Sequence, residues 1–184
     1  MLFLDESGFT LTPYVANTWA PRGQVPVLVH AMGHWEKLNA ISAVAFSRRQ
    51  GRVRADLFFR LHRGRSIGSA RVAAFLRQVE RQVPGRVIVV WDNAPQHRGP
   101  YVRAFFAKRP RFELVRLPPY CPELNPDEDV WSWVKSKDLA NAAAQDNDDL
   151  VHRVRGSLRR MQRRAHLVRG CLTASELPWG ALLE

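Results

Sequence analysis

The chain has 184 residues, of which 46% are hydrophobic, and 28 lysines and arginines against 17 acids give a formal net charge of +11. That length suits one domain with its own core, and that composition excludes a disordered chain. No run of 18 apolar residues exists, which excludes a transmembrane helix; Met1-Leu2-Phe3-Leu4-Asp5 turns acidic too soon for a signal peptide; and Cys121 and Cys171 have no metal-ligand spacing, which suits a reducing cytoplasm.

Only four of the basic residues are lysines. Codon bias in a GC-rich genome explains the choice of arginine over lysine, but not the surplus over acids. Such a surplus favours a polyanionic partner, with nucleic acid ahead of an acidic membrane surface, because no basic amphipathic anchor stands apart from the fold.

In chain order, Met1 to Gly8 reads as a strand with Leu2 and Leu4 on one face and Phe3 on the other, broken by the polar Asp5-Glu6-Ser7-Gly8. Residues 10–35 hold Pro13, Pro21, Gly23, Pro26 and Gly33 and form a loop-rich excursion, with a small strand expected at Val25 to Val29 and core anchors at Trp19 and Trp35. Lys37 to Phe46 is a second strand. Arg52 to Leu61 is a third, with Val53, Ala55, Leu57 and Phe59 on one face, and Gly51 suggests a hairpin between the two. Ser66 or Ser69 can cap a helix whose stripe is Val72, Phe75, Leu76, Val79 and Val83, stopped by Pro84-Gly85.

Arg86 to Trp91 is a continuous apolar run, the pattern of a strand buried on both faces, with Asp92 at its C-terminal end. Residues 99–109 look helical, and Phe112 to Leu117 is a short strand closed by Pro118-Pro119. Asn125-Pro126-Asp127-Glu128 has the cap, first-position proline and first-turn acids of a helix start. That helix carries Val130, Trp131 and Val134. A last helix is expected from Asp148 to Val168, with a stripe of Leu150, Val154, Leu158, Met161, Ala165 and Val168. Arg155, Arg159 and Arg163 lie four apart on another of its faces. No internal repeat and no second domain is evident.

Asp5 and Asp92 end strands, and Glu128 sits in the first turn of a helix. Strand ends in an α/β sheet are where ligand sites gather. Converging carboxylates without histidine or cysteine make a hard oxygen site suited to Mg²⁺ or Mn²⁺, and two such ions can hold both the attacking and the leaving oxygen of a phosphodiester. Each acid also has a plainer reading: Asp5 as a turn cap with Gly8, Asp92 in an Asx-turn, Glu128 as the acid of a capping box with Asn125. Together, on this order of elements, they point to catalysis.

Four segments resemble the catalytic half of mariner-like DDE transposases of bacterial insertion sequences. They are Leu4-Asp5-Glu6-Ser7-Gly8-Phe9; Val89 through His97; Leu117-Pro118-Pro119-Tyr120-Cys121-Pro122-Glu123-Leu124-Asn125-Pro126, the most specific; and Glu128 with Trp131. The resemblance covers nearly the whole chain. It implies an α/β, ribonuclease-H-like fold, a mixed sheet flanked by helices, with Asp5, Asp92 and Glu128 as catalytic metal ligands. It further implies two Mg²⁺ or Mn²⁺ ions, DNA partners (transposon ends and target), a dimer in the active complex and a place at the bacterial nucleoid.

Cys121 departs from the family's usual serine, and Asp127 from an apolar residue; register from Asn125-Pro126 favours Glu128 over Asp127 as the ligand. Family members carry helix-turn-helix modules ahead of this domain. None is expected within residues 1–184, so the chain reads as a single catalytic domain: a frameshift partner of a separate helix-turn-helix chain, a remnant, or part of a longer protein. A nuclease on the same fold without transfer activity, or an inactive remnant binding DNA or a partner transposase, are the alternatives.

His97 is read either as a donor to the scissile phosphate or as a partly exposed histidine ordering its turn. Trp131 and Trp133 invite base stacking, but Trp131 is expected to pack its helix on the sheet. The Arg155, Arg159, Arg163 row is the candidate phosphate-tracking face. His30, His34, His62, His152 and His166 form no metal-ligand pattern.

Overall fold

The computed structural model describes residues 1–30, 37–49, 52–64 and 66–179. Five strands form one mixed sheet in the order β3-β2-β1-β4-β5: β1 (Leu2–Phe9), β2 (Leu38–Arg49), β3 (Arg52–Arg63), β4 (Val87–Trp91) and β5 (Phe112–Arg116). The first three are antiparallel neighbours, while β4 and β5 run parallel to β1. A parallel partner needs a crossover. Helix α1 (Ser69–Glu80) supplies it between β3 and β4, and α2 (Pro100–Ala107) between β4 and β5.

Strand alternation splits the apolar residues into two cores. Leu2, Leu4, Val87, Val89 and Trp91 face α1 and α2. Phe3, Phe9, Val44, Leu57 and Val90 face the three remaining helices: α3 (Pro126–Trp133), α4 (Asn147–Arg163) and α5 (Ala165–Ala174). Trp179 closes that side, with its ring centroid 5.7 Å from Phe3 and 5.3 Å from Phe46. No helix among the described residues is long and apolar enough to cross a membrane.

Several expectations shift. Strand β1 does not break at Asp5 but runs on through the polar residues to buried Phe9, because β2 pairs with it along its whole length. The segment Val25 to Val29 forms no strand, and Val25, Val27 and Val29 are more than four-fifths exposed. Trp19 is fully exposed and anchors nothing. Prolines 13, 21 and 26 interrupt the row of N–H donors a ladder would need. The Trp35 anchor and Gly51 itself lie outside the described residues, while the hairpin expected there is borne out by the antiparallel pairing of β2 with β3.

Gly68, with no side-chain cap, holds the N-cap position of α1 in place of a serine. Ile88 is 37% exposed, so β4 is not covered on both faces throughout. The expected last helix divides at Arg164, whose φ of −119° and ψ of 83° are non-helical. Ala165 is exposed just after the break, while Val168, Cys171 and Leu172 carry the apolar face onward.

Candidate active site

Register sets the first two acids side by side. In the parallel β1–β4 pair, Phe3 lies opposite Val90, and continuing that register by two residues brings Asp5 beside Asp92. Alternation turns Asp5 toward α3 and its neighbour Glu6 toward the other face of the sheet. Helix α3 is then docked over the strand ends by polar ties. Asn125 caps α3 by accepting from the Asp127 N–H at 3.2 Å, and its own Nδ2 donates to the Leu4 carbonyl at 3.3 Å. Trp131 Nε1 donates to Asp5 Oδ2 at 3.0 Å.

As a result, Asp5, Asp92 and Glu128 line one cavity of about 580 Å³, together with Asn93, Arg98 and Tyr120. The two adjacent helix acids go different ways. Glu128 lines the cavity, whereas Asp127 is fully buried, accepts from Ser42 Oγ at 2.7 Å, and leaves Oδ2 with no hydrogen bond. Burial raises the Asp127 carboxyl well above the ordinary range, with the charge of Asp5 adding to it.

Burial also raises Asp5 well above its ordinary value, reinforced by Glu128, then Glu6 and Asp92. Glu128 is raised by burial, with Lys135 opposing and Asp92 and Asp129 adding. Crowded carboxylates that repel one another are what a hard cation relieves, and the donors are all oxygen, so the set fits Mg²⁺ or Mn²⁺. Among the described residues no three acidic, histidine or cysteine side chains are gathered into a finished metal cage.

Of the plainer readings, the Asx-turn is present: Asp92 Oδ1 accepts from the Ala94 N–H at 2.9 Å. The capping box does not form, because the Asn125 N–H is given to the Pro122 carbonyl at 2.8 Å.

His97 is neither a surface donor nor a partly exposed residue. It is 3% exposed, stacked on Trp91 at 4.4 Å and 8° between planes, with Nε2 3.0 Å from Glu6 Oε1 and Nδ1 2.7 Å from Asp92 Oδ1. Burial works against its protonated form, but the hydrogen bond and charge of Glu6 and the charge of Asp92 outweigh that and raise it above the usual histidine value. A ring so enclosed is not available to a phosphate.

Arg155, Arg159 and Arg163 are exposed on α4 and line none of the cavity. Residue spacing did not assign roles to Glu6, to the Trp131 N–H or to Arg98. Arg98, six residues after Asp92, gives its guanidinium to the Asn93 carbonyl, with Nε at 3.0 Å. Tyr120 stands fully exposed at the rim with φ of +59°, a left-handed conformation uncommon for a bulky residue.

A family model described as "DDE superfamily endonuclease" matches residues 1–151. The uncharacterized protein y4pE/y4sA of Sinorhizobium fredii is 32% identical over 78 residues, which are 41% of this chain and 55% of that protein. Among solved structures, the Mos1 mariner paired end complex with Mg aligns at a TM-score of 0.62 and 18% identity, covering 95% of this chain and 52% of that one. The corresponding complex with Mn gives 0.57 and 17%, covering 96% and 56%. The catalytic domain of Mos1 mariner transposase gives 0.55 and 15%, covering 95% and 81%. At these identities the structures establish the ribonuclease-H-like fold. The chain spans about half the length of y4pE/y4sA and of the Mos1 chains in the paired end complexes.

Proposed function

We propose a function from one premise: the chain belongs to the DDE superfamily endonucleases. It is the catalytic domain of a transposase that cuts DNA at transposon ends and joins the cut strand to a target. Asp5, Asp92 and Glu128 are its metal-binding carboxylates. The observation that carries this reading is the shared cavity, which Asp5 lines from within β1, Asp92 from just after β4 and Glu128 from the first turn of α3. The structural neighbours add support, since they include a Mos1 paired-end complex with a left transposon end and a Mos1 strand transfer complex.

Two Mg²⁺ or Mn²⁺ ions, when bound, supply the activated water and stabilise the departing 3′ oxygen. The protein's own residues fix the ligands. Trp131 holds Asp5, the turn after β4 holds Asp92, and the Asn125 cap sets the first turn of α3 that carries Glu128. The net charge of +11 favours the DNA backbone, with Arg155, Arg159 and Arg163 as an exposed row for phosphates. The active complex is a dimer. Reading of the end sequence belongs to a helix-turn-helix module outside these 184 residues, in the same protein or in a partner chain, acting on DNA at the bacterial nucleoid.

The test is cleavage and joining of an end-containing duplex by the protein with its end-reading module. Activity is expected in Mg²⁺ or Mn²⁺ and lost in Ca²⁺ alone, whose looser coordination binds without aligning the reacting oxygens. Asp92→Asn abolishes it. Full cleavage in chelator, or by Asp92→Asn at the wild-type rate, overturns the proposal. Cleavage without joining reduces it to a nuclease.

A further inference from the structure

The Asp92 side chain is 54% exposed, at the end of a strand, where a carboxylate would ordinarily swing between rotamers. Here one of its oxygens is anchored twice. Oδ1 accepts from the Ala94 N–H at 2.9 Å and lies 2.7 Å from His97 Nδ1, which also lies 3.4 Å from the Asp92 carbonyl oxygen, while Oδ2 has no hydrogen bond among the described residues. The imidazole that holds it is itself fixed on three sides: by Trp91 stacked beneath, by Asp92, and by Glu6 Oε1 at 3.0 Å. Glu6 is pinned in turn, since its Oε2 accepts from Gln96 Nε2 at 3.1 Å. Gln96 and His97 thus grip both oxygens of one carboxylate with consecutive side chains.

A stack on Trp91 alone would not call for this. An apolar side chain would fill the gap without the cost of burying an imidazole and its partners. The ring's distinctive property is two polar atoms pointing in different directions, and each meets a carboxylate. Those carboxylates belong to the two neighbouring strands that place the first two acids of the site: Glu6 directly follows Asp5 in β1, and Asp92 directly follows β4. The ring therefore spans the β1–β4 pair on the face opposite Asp5 and ties the position of one acid to the strand of the other.

We infer that His97, held by Glu6, is a positioning residue that fixes Asp92 through Oδ1 and leaves Oδ2 as its metal-binding oxygen. The inference rests on the reading of Asp92 as a metal ligand. A carboxylate only accepts, so the contact requires a hydrogen on Nδ1.

The test uses Mn²⁺ affinity of the intact chain, read from the electron paramagnetic resonance of free Mn²⁺, with melting in chelator as the measure of folding. His97→Asn keeps an N–H near the place of Nδ1, and His97→Gln moves it to that of Nε2. Removing a partner that orients a metal ligand typically lowers metal affinity about 10–100-fold, the loss expected for His97→Gln and His97→Ala, whereas His97→Asn stays within about threefold of wild type. Asp92→Asn is measured alongside. If it has lost Mn²⁺ while His97→Gln binds as wild type, the positioning role is wrong and the ligand reading stands. If Asp92→Asn binds as wild type, the ligand reading falls and the inference with it. Should the His97 variants fail to fold, the wild-type protein decides: long-range ¹H–¹⁵N spectra of the imidazole show Nδ1 protonated if the inference holds, and a bare Nδ1 overturns it.

Discussion

Replacing Asp5 by Asn should stabilise the metal-free protein and abolish its response to metal. Asp5 is enclosed beside Glu128, Glu6 and Asp92, and its carboxyl is held well above the ordinary value, first by burial and then by those charges. A carboxyl raised in the folded state binds more protons folded than unfolded, so stability falls as pH rises from the unfolded value toward the folded one and then levels off. At pH 7.5 the wild type carries that penalty and Asp5→Asn does not. Each pH unit of displacement is worth about 1.4 kcal/mol, so a carboxyl held well above its ordinary value is expected to give a gain that melting can read. For a chain of this length that raises the melting temperature by roughly 2–4 °C per kcal/mol. The amide oxygen of Asn can still accept from Trp131 Nε1, which keeps the packing unchanged. Saturating Mn²⁺ acts the other way: at a hundred times its Kd a ligand adds about 2.7 kcal/mol, and only the wild type receives it. Differential scanning fluorimetry in chelator and in Mn²⁺, from pH 4 to 8, reads both effects. The advantage of Asp5→Asn should vanish toward pH 4. A variant that melts below wild type in chelator at pH 7.5, or that gains as much from Mn²⁺, would refute the reasoning.

Trp131→Phe removes the donor to Asp5 while keeping a ring against Phe9, whose centroid is 5.9 Å away; loss of such an orienting contact should weaken Mn²⁺ binding about 10–100-fold, and an unchanged titration would show the contact to be incidental. Gly99→Ala would set its Cβ 2.3 Å from the Ser69 Cβ, driving the starts of α1 and α2 apart; a loss of about 1–3 kcal/mol is expected in urea unfolding. Gly8→Ala meets only the flexible end of Lys37 and should be near neutral, so equal losses at the two glycines would contradict this account. Burial pushes the Cys171 thiol up to about 12, so in the native protein at pH 8 maleimide should label Cys121 alone, as mass spectrometry after digestion would reveal.

What the residues disclosed follows from periodicity and from local backbone chemistry. The order of strands and helices, the buried stripes of α1 and α4 and the Asn125 cap were legible because each is set within a few residues of sequence. The exposed Val25, Val27 and Val29 were misread because apolar residues make a strand only where a partner strand offers hydrogen bonds, and no local pattern records a partner. The division at Arg164 was hidden for the opposite reason. Neither Gly nor Pro marks it, and the apolar spacing from Met161 to Val168 passes through a single non-helical residue undisturbed. The three acids could be picked out, but not Glu6, whose importance depends on meeting a histidine 91 positions away.

That contact shows how one sheet edge serves two tasks. Alternation forces neighbouring acids of β1 to opposite faces, so Asp5 and Glu6 cannot both line the cavity. On the α3 side the crowd of Asp5, Asp92 and Glu128 is electrostatically unfavourable without a cation. On the far side Glu6 meets a buried imidazole that its hydrogen bond and charge help keep protonated. The ring lies against Asp92 as well, with Nδ1 2.7 Å from Oδ1, so it contacts that carboxylate from a position where it does not occupy the place of the metal. The same Asp-Glu dipeptide thereby supplies a candidate ligand and, through His97, a support for another.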